Sequence, residues 1–246
     1  MRGDSTYSRV MLHAAAGAGR MPAWEGYARY CRLRDQGLRR EAFRSLDDFL
    51  HAAERWAFEE RREFAAWLSE LLAPRESRHD DLTPHPLIAR LLRPTLLEWV
   101  EREPGAVLPH RWLGIFFSGY PHAQDGLSSQ EHLRRAIELD PGEQPARIRL
   151  IHDQLAYLEY AMHHLPDYFI GDPEEDQAFT GEVARLIERV ADPRTRSELQ
   201  AELASARQLV EDWIAFRDEG GADFDEWCRV RGRTYEWQRH YFYPSE

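Results

Sequence analysis

Apolar side chains recur at steps of three and four residues along most of the chain, and no segment alternates between apolar and polar positions as a half-buried strand does. The clearest apolar stripe begins at Leu46 and continues to Leu71. Ser45 and Asp48, which stand just at its start, have the spacing of an N-terminal capping box. The pattern predicts one long helix from Ser45 to about Leu71 whose apolar face packs into a core.

Glycine and proline residues divide the rest of the pattern into further helices. Gly37 follows a predicted helix over 22–36, and Gly220 and Gly221 follow a predicted helix over 194–219. A helix over about 144–165 is apolar nearly all round and is therefore expected to lie in the interior. The periodicity predicts an all-α protein with roughly nine to eleven helices.

Two segments interrupt the helical pattern and suggest the domain organisation. Residues 73–86 contain three prolines and a charged cluster, which predicts a linker or a long loop. Residues 1–20 carry only a short and broken apolar pattern, so we expect a flexible N-terminal segment there. The remainder, 21–246, is predicted to form a single all-helical domain, and 73–86 is the place where it would be subdivided.

Residues 132–141 resemble the second helix and closing turn of a tetratricopeptide repeat, with the small residue Ala136 at the helix crossing and Pro141 five residues later. The resemblance covers about 107–141, and it departs from the family pattern at Ser129, where Ala is usual, and in the long turn 119–126. The preceding segment loosely resembles the first helix of the repeat through Trp112, Leu113, Gly114 and Tyr120. The resemblance implies stacked helical hairpins, as a tetratricopeptide-like α-solenoid or an irregular helical bundle, and a role in binding other proteins.

The composition excludes several classes of function. The 246 residues carry a formal charge of −11, and every one of the 32 cationic side chains is arginine, because the chain has no lysine. The absence of lysine excludes a Walker A loop and a Schiff-base enzyme, and the negative charge argues against nucleic acid as a main partner. No apolar run approaches the roughly 18–20 residues of a membrane span, so we expect no membrane partner. Cys31 and Cys228 form no metal or disulfide pattern, which favours the cytoplasm.

The charges are unevenly distributed along the chain. Residues 1–44 hold nine arginines against four acids (+5), whereas residues 138–226 hold eight arginines against 22 acids (−14). Solvated helix faces account for most of such a distribution, and the alternative is an acidic surface that attracts a basic partner. An aromatic tail follows, which is expected to pack on the last helix or to contact a partner: Tyr235, Trp237, Tyr241, Phe242 and Tyr243.

The helix over 144–165 carries the best candidate for chemistry. His152, Glu159 and His163 fall within roughly 40° of one another on its surface. Such residues most simply satisfy one another along the rim of a groove, and in the alternative they are the candidate catalytic residues. Glu159 and His163 are one turn apart, which allows them to bind one metal ion or to exchange a proton, but a further ligand would have to come from another helix. No cofactor is predicted. The candidate binding residues crowd the end of this helix and the segment after it: Tyr160, His164, Asp167, Tyr168, Asp172, Glu174, Glu175 and Asp176.

Three functions remain open at the level of sequence. The first is a cytoplasmic helical-repeat module whose acidic surface binds a basic protein, for which an immunity-like or chaperone-like role would fit. The alternative is an enzyme that uses the His152, Glu159 and His163 region for metal or acid–base chemistry, so whether the chain is an enzyme is undecided. The third is a structural scaffold that forms oligomers.

Overall fold

The computed structural model describes residues 5–72, 81–116 and 127–237. All regular structure within these ranges is helical, which confirms the predicted all-α class, and eleven of the helices have seven residues or more. None of the helices in the described ranges is both long and apolar enough to cross a membrane. The contacts divide the chain into two compact units, which we call the N-terminal unit, Met1–Leu139, and the C-terminal unit, Asp140–Glu246.

The helices follow one another with short connections. The N-terminal unit contains α1 (Ser5–Ala18), a 3-10 turn (Pro22–Trp24), α2 (Glu25–Asp35), α3 (Arg39–Ala53), α4 (Phe58–Leu72), α5 (His85–Leu87), a π-helical turn (Ile88–Leu92), α6 (Arg93–Arg102), α7 (Val107–Phe116) and α8 (Ser129–Leu139). The C-terminal unit contains α9 (Gln144–Met162), α10 (Pro173–Ile187), α11 (Pro193–Asp218) and α12 (Phe224–Val230).

The N-terminal segment differs from the flexible segment expected over 1–20. Residues Ser5–Ala18 form α1, and its side chains Met11, Ala14 and Ala18 are completely buried. These residues recur at helical spacing, and the small alanines allow α1 to pack closely on its neighbours. The short apolar pattern is sufficient for a helix here because other helices cover it.

The long helix expected from Ser45 to Leu71 is in fact two helices. Ser45 lies inside α3, where its hydroxyl donates to the carbonyl of Gly26 at 3.0 Å and caps nothing. The chain turns between α3 and α4, and this turn brings the rings of Trp56 and Phe64 to 5.4 and 5.1 Å from that of Phe49. The apolar spacing continues across the turn, so the pattern alone does not reveal the break.

The proline-rich segment 73–86 does not separate two units. Its first part, 73–80, lies outside the described residues, but side chains on both sides of it, such as Leu68 and Leu87, belong to one core. The Tyr27 hydroxyl also donates to the carbonyl of Leu82 at 2.7 Å. The division falls instead after α8, where Pro141 and Gly142 end the helix.

Helices α7 and α8 form a closely packed hairpin in the segment that resembles a tetratricopeptide repeat. Gly114 of α7 faces Leu133 of α8 so closely that a Cβ atom at Gly114 would lie 2.5 Å from the Leu133 Cγ atom. Ala136 is completely buried. The small residues therefore stand where two helices approach each other, while Tyr120 and the turn 119–126 lie outside the described residues.

In the C-terminal unit, α9 packs on α10 and α11 through one face only. Ile151, Leu155 and Leu158 are buried against apolar residues of α10 and α11. Other positions around the helix, among them His152, Glu159 and Tyr160, are exposed, so α9 is not the interior helix that its composition suggested. The exposed face carries the candidate residues.

Candidate interaction surface of the C-terminal unit

The net charge of the chain resides in the C-terminal unit. The N-terminal unit has 20 acidic and 20 arginine side chains, whereas the C-terminal unit has 23 acidic and 12 arginine side chains. The difference of 11 equals the formal charge of the whole chain, −11. All the candidate residues that the sequence suggested also lie in this unit.

The three candidate catalytic residues do not form one site. His152 is exposed on α9, about two turns before Glu159 and about three turns before His163. The Nδ1 atom of His163 lies 2.5 Å from the carbonyl oxygen of Tyr160, so this nitrogen carries the proton and donates it. Within the described ranges, no three His, Cys, Asp or Glu side chains are grouped closely enough to hold a metal ion.

Glu159 and His163 line an open groove of about 860 Å³ between α9, α11 and residues 232–237. The floor of the groove is apolar and is formed by Leu155, Met162, Leu165, Ala206, Leu209 and Trp237. The carboxylates of Glu159, Glu202 and Glu236 line it as well, and none of the three forms an ion pair with another described residue. The groove therefore combines an apolar floor with three carboxylates and with the guanidinium group of Arg233, which pairs with Asp212.

A buried carboxylate fixes the C-terminal wall of the groove. Asp212 of α11 accepts hydrogen bonds from the Tyr235 hydroxyl and from Gln208 Nε2 at 3.0 Å, and Arg233 Nε lies 3.2 Å from it. Burial and the Asp212 carboxylate raise the pKa of Tyr235, so its hydroxyl stays protonated and donates. The network is not predictable from the sequence, since only the spacing of Gln208 and Asp212 gives a local signal.

The aromatic tail was expected to pack on the last helix, and its described part does so. The Trp237 ring lies 5.6 Å from that of Phe224 in α12 and 5.3 Å from that of Tyr235. The other aromatic residues of the tail, Tyr241, Phe242 and Tyr243, lie outside the described residues.

Four rings at the end of α9 and in the segment after it lie in a continuous row, which we call the aromatic row: Tyr160, His163, His164 and Tyr168. The ring centroids are 4.9, 4.0 and 4.4 Å apart along the row. Tyr160 is 60% exposed and Tyr168 is 50% exposed, so both ends of the row face solvent. The segment after α9 turns back on the helix, because the Ile170 N–H donates to the Ala161 carbonyl at 2.8 Å. The spacing of these rings in the sequence did predict that they crowd one corner.

The five acidic candidates between residues 167 and 176 have different structural roles. Asp172 is the N-cap of α10 and accepts from the N–H groups of Glu174 and Glu175 at 3.0 and 3.1 Å. Glu174 forms a bidentate ion pair with Arg217, which lowers the pKa of Glu174. Asp176 is buried. Asp167 and Glu175 are exposed, and neither side chain forms a hydrogen bond or an ion pair with another described residue.

The cysteine of this unit is not a suitable nucleophile. Cys228 is buried, and burial raises the pKa of its thiol to about 11, so little thiolate is present at neutral pH.

Comparison with models of known protein families, with curated proteins and with solved structures finds no match to this chain.

Proposed function

We propose that the C-terminal unit is a binding module for a basic segment of a partner protein. The observation that carries the proposal is the aromatic row, whose ends Tyr160 and Tyr168 are exposed. Asp167, which directly precedes Tyr168 in the chain, and Glu175 of α10 both have exposed carboxylates that pair with no other described residue. Aromatic faces attract arginine and lysine side chains, and each such contact contributes about 0.5–1 kcal/mol at an exposed site. The neighbouring carboxylates add electrostatic attraction for the same cations.

The groove can also bind apolar side chains of the same partner. Its floor can accept aliphatic or aromatic groups, while Glu159, Glu202 and Glu236 favour basic residues that flank them. His163 belongs both to the aromatic row and to the groove lining, so the two features are continuous. An amphipathic basic segment has both kinds of side chain.

The proposed module is cytoplasmic and of the helical-repeat type. Cys31 and Cys228 are both buried free thiols, which suits a reducing compartment. An immunity-like or chaperone-like role, in which the module covers the basic surface of another protein, agrees with the charge of −11.

Calorimetric titration of the full chain with a hexa-arginine peptide tests the proposal. We expect binding that weakens as salt rises from 0.01 to 0.1 M, because the Debye length falls from about 30 to about 10 Å. The double variant Tyr160→Ala, Tyr168→Ala should lose about 1–2 kcal/mol of binding free energy, or about 5- to 30-fold in affinity. The variant Glu175→Arg should mainly reduce the association rate.

Matched controls lie in the N-terminal unit. Leu38→Ala removes another exposed apolar side chain, and Glu63→Arg reverses another exposed acid. Both controls should bind hexa-arginine nearly as tightly as the parent. The proposal is wrong if the parent does not bind the peptide, or if these controls weaken binding as much as the variants of the aromatic row.

A further inference from the structure

Helices α9 and α11 present adjacent faces to the groove of the C-terminal unit. The lining residues of each helix recur at steps of three and four: Leu155, Glu159 and Met162 on α9, and Glu202, Ser205 and Leu209 on α11. Residues at this spacing share one side of a helix, and each set spans about two turns, or roughly 10 Å. The groove is therefore bounded by two helical stripes of equal length.

The groove has the position and the size that a further helix needs. α10 shares an apolar core with α9 and α11, and no described residue that lines the groove belongs to α10. A two-turn helix that is 10–12 Å wide occupies roughly 850–1,200 Å³, and the groove has a volume of about 860 Å³. The small side chains of Ala204, Ser205 and Ala206 line it and let a helix approach α11 closely.

The apolar floor favours a helical occupant over an extended one. Every backbone N–H and C=O group that leaves water needs a hydrogen-bond partner, and an apolar floor provides none. A helix satisfies these groups internally, so only its side chains have to match the groove. An extended segment would lose its hydrogen bonds to water along the same floor.

The charges around the floor specify the flanks of that helix. Glu159 on α9, Glu202 on α11 and Glu236 in the segment after α12 are all exposed, and each lacks an ion-pair partner among the described residues. The one arginine in the lining, Arg233, is paired with Asp212. Arginine and lysine can lay their aliphatic stems along an apolar surface while their charged ends stay in water. The lining thus complements apolar residues that have basic neighbours.

We propose that the groove binds an amphipathic basic helix of the partner protein, which packs between α9 and α11 as a further helix of the bundle. This inference rests on the proposed function and specifies the conformation and residue spacing of the partner segment. Apolar side chains at positions i, i+3 or i+4, and i+7 of the partner helix face the floor. Arginine or lysine residues on both sides of this stripe face the three carboxylates.

Two peptides of identical composition test the helical pattern. Each has fourteen residues, with four leucines, four arginines and six alanines. In the first peptide the leucines form one helical stripe flanked by the arginines, and in the second they are distributed around the helix. Calorimetric titration of the full chain should show about 10- to 100-fold tighter binding of the first peptide. Circular dichroism at 222 nm should show that this peptide gains helix on binding.

The variant Ser205→Trp blocks the groove from an exposed position, so the core of the unit is not disturbed. Its affinity for the helical peptide should fall tenfold or more, whereas its affinity for hexa-arginine, which the aromatic row binds, should change less than about threefold. The matched control is Ser197→Trp, the same replacement at an exposed position of α11 outside the groove. Equal losses of helical-peptide affinity in the two variants would overturn the assignment to the groove.

A pair of charge variants tests the carboxylates and leaves the shape of the groove unchanged. Glu159→Gln combined with Glu202→Gln should weaken binding of the helical peptide about 3- to 30-fold. The control combines Glu182→Gln and Glu188→Gln, which remove two exposed charges of the same unit outside the groove, and should change the affinity less than about twofold. Equal effects of the two double variants would mean that net charge alone attracts the peptide and would overturn the proposed flanks.

Failure of this inference can be distinguished from failure of the proposed function. If the two isomeric peptides bind equally while hexa-arginine binds the parent, the helical occupant is refuted and the binding module stands. If neither the peptides nor hexa-arginine bind, the binding module itself is refuted. If sedimentation shows that the parent alone forms a dimer and that Ser205→Trp dissociates it, a second copy of the chain occupies the groove and the partner helix is overturned.

Discussion

The variant Gly114→Ala tests how closely α7 and α8 approach each other. The added Cβ atom would lie 2.5 Å from both Cγ and Cδ2 of Leu133 and 3.0 Å from the carbonyl oxygen of Ser129. Carbon atoms in contact are normally about 3.5–4.0 Å apart, so the two helices or the Leu133 side chain must shift by about 1 Å. Leu133 is completely buried and cannot turn toward solvent.

The expected magnitude follows from two opposing effects. A forced shift of this size belongs to the upper part of the usual overpacking cost of about 1–3 kcal/mol. Alanine has a better helix propensity than glycine, and this offsets up to about 1 kcal/mol of the overpacking cost. We therefore expect Gly114→Ala to lower the free energy of unfolding by about 1–2 kcal/mol, measured by urea denaturation followed by circular dichroism at 222 nm.

The same replacement at Gly181 is the matched control. Gly181 lies inside α10, and a Cβ atom added there meets no other atom within 4 Å. Gly181→Ala should therefore raise the free energy of unfolding by about 0.4–1 kcal/mol, because only the propensity and chain-entropy effects remain. The two glycine replacements are predicted to have opposite signs.

A double variant shows whether the clash with Leu133 is the cause. Leu133→Ala removes the two atoms that the new Cβ would meet, so Gly114→Ala should cost less in that background. We expect the double variant to be more stable, by about 0.5–3 kcal/mol, than the sum of the two single destabilisations would give. A Gly114→Ala protein as stable as the parent, together with no coupling to Leu133→Ala, would refute the close crossing of the two helices.

Three further variants test other parts of the structure. Ala136→Leu places a large side chain at a completely buried position and should cost about 1–3 kcal/mol in urea unfolding; an unchanged stability would mean that the crossing has spare room. Asp212→Ala leaves the Tyr235 hydroxyl and Arg233 without their carboxylate and should cost about 1.5–3 kcal/mol, whereas no loss would show that this network does not hold the wall of the groove. The pKa of Asp176 is raised by burial, so the folded state binds this proton more tightly than the unfolded state and loses stability as pH rises above the ordinary aspartate value of 3.8. The advantage of Asp176→Asn in unfolding free energy should therefore be absent near pH 3.8 and grow toward neutral pH, and an advantage that does not vary with pH would contradict it.

The sequence by itself determined the fold class, because helical periodicity is a local property. Apolar residues at steps of three and four specify a helix and its buried face without knowledge of the partner. The helix ends at Gly37 and Gly220 were also predictable, since both glycines adopt a positive φ that ends a helix. The crowding of Glu159, Tyr160 and His163 followed from the same periodicity, as these residues share one helix.

The limits of the helices depended on tertiary packing. Whether the short apolar pattern of α1 forms a helix depends on the helices that cover Met11 and Ala14. Likewise, the turn between α3 and α4 is stabilised by the aromatic cluster around Phe49, whose members come from different helices. Such contacts join residues that are distant in sequence, so periodicity does not reveal them.

The tertiary structure alone decided which acidic residues of the candidate site are free to bind. One acidic run contains three close neighbours with different environments. Asp172 caps α10, Glu174 is paired with Arg217 of α11, and only Glu175 is both exposed and unpaired. Asp176, the next residue, is buried because α10 turns it toward Tyr157 of α9. The N-cap bonds of Asp172 are local, but the environments of Glu174 and Asp176 are set by residues of other helices, and the order of residues along the chain does not contain that information.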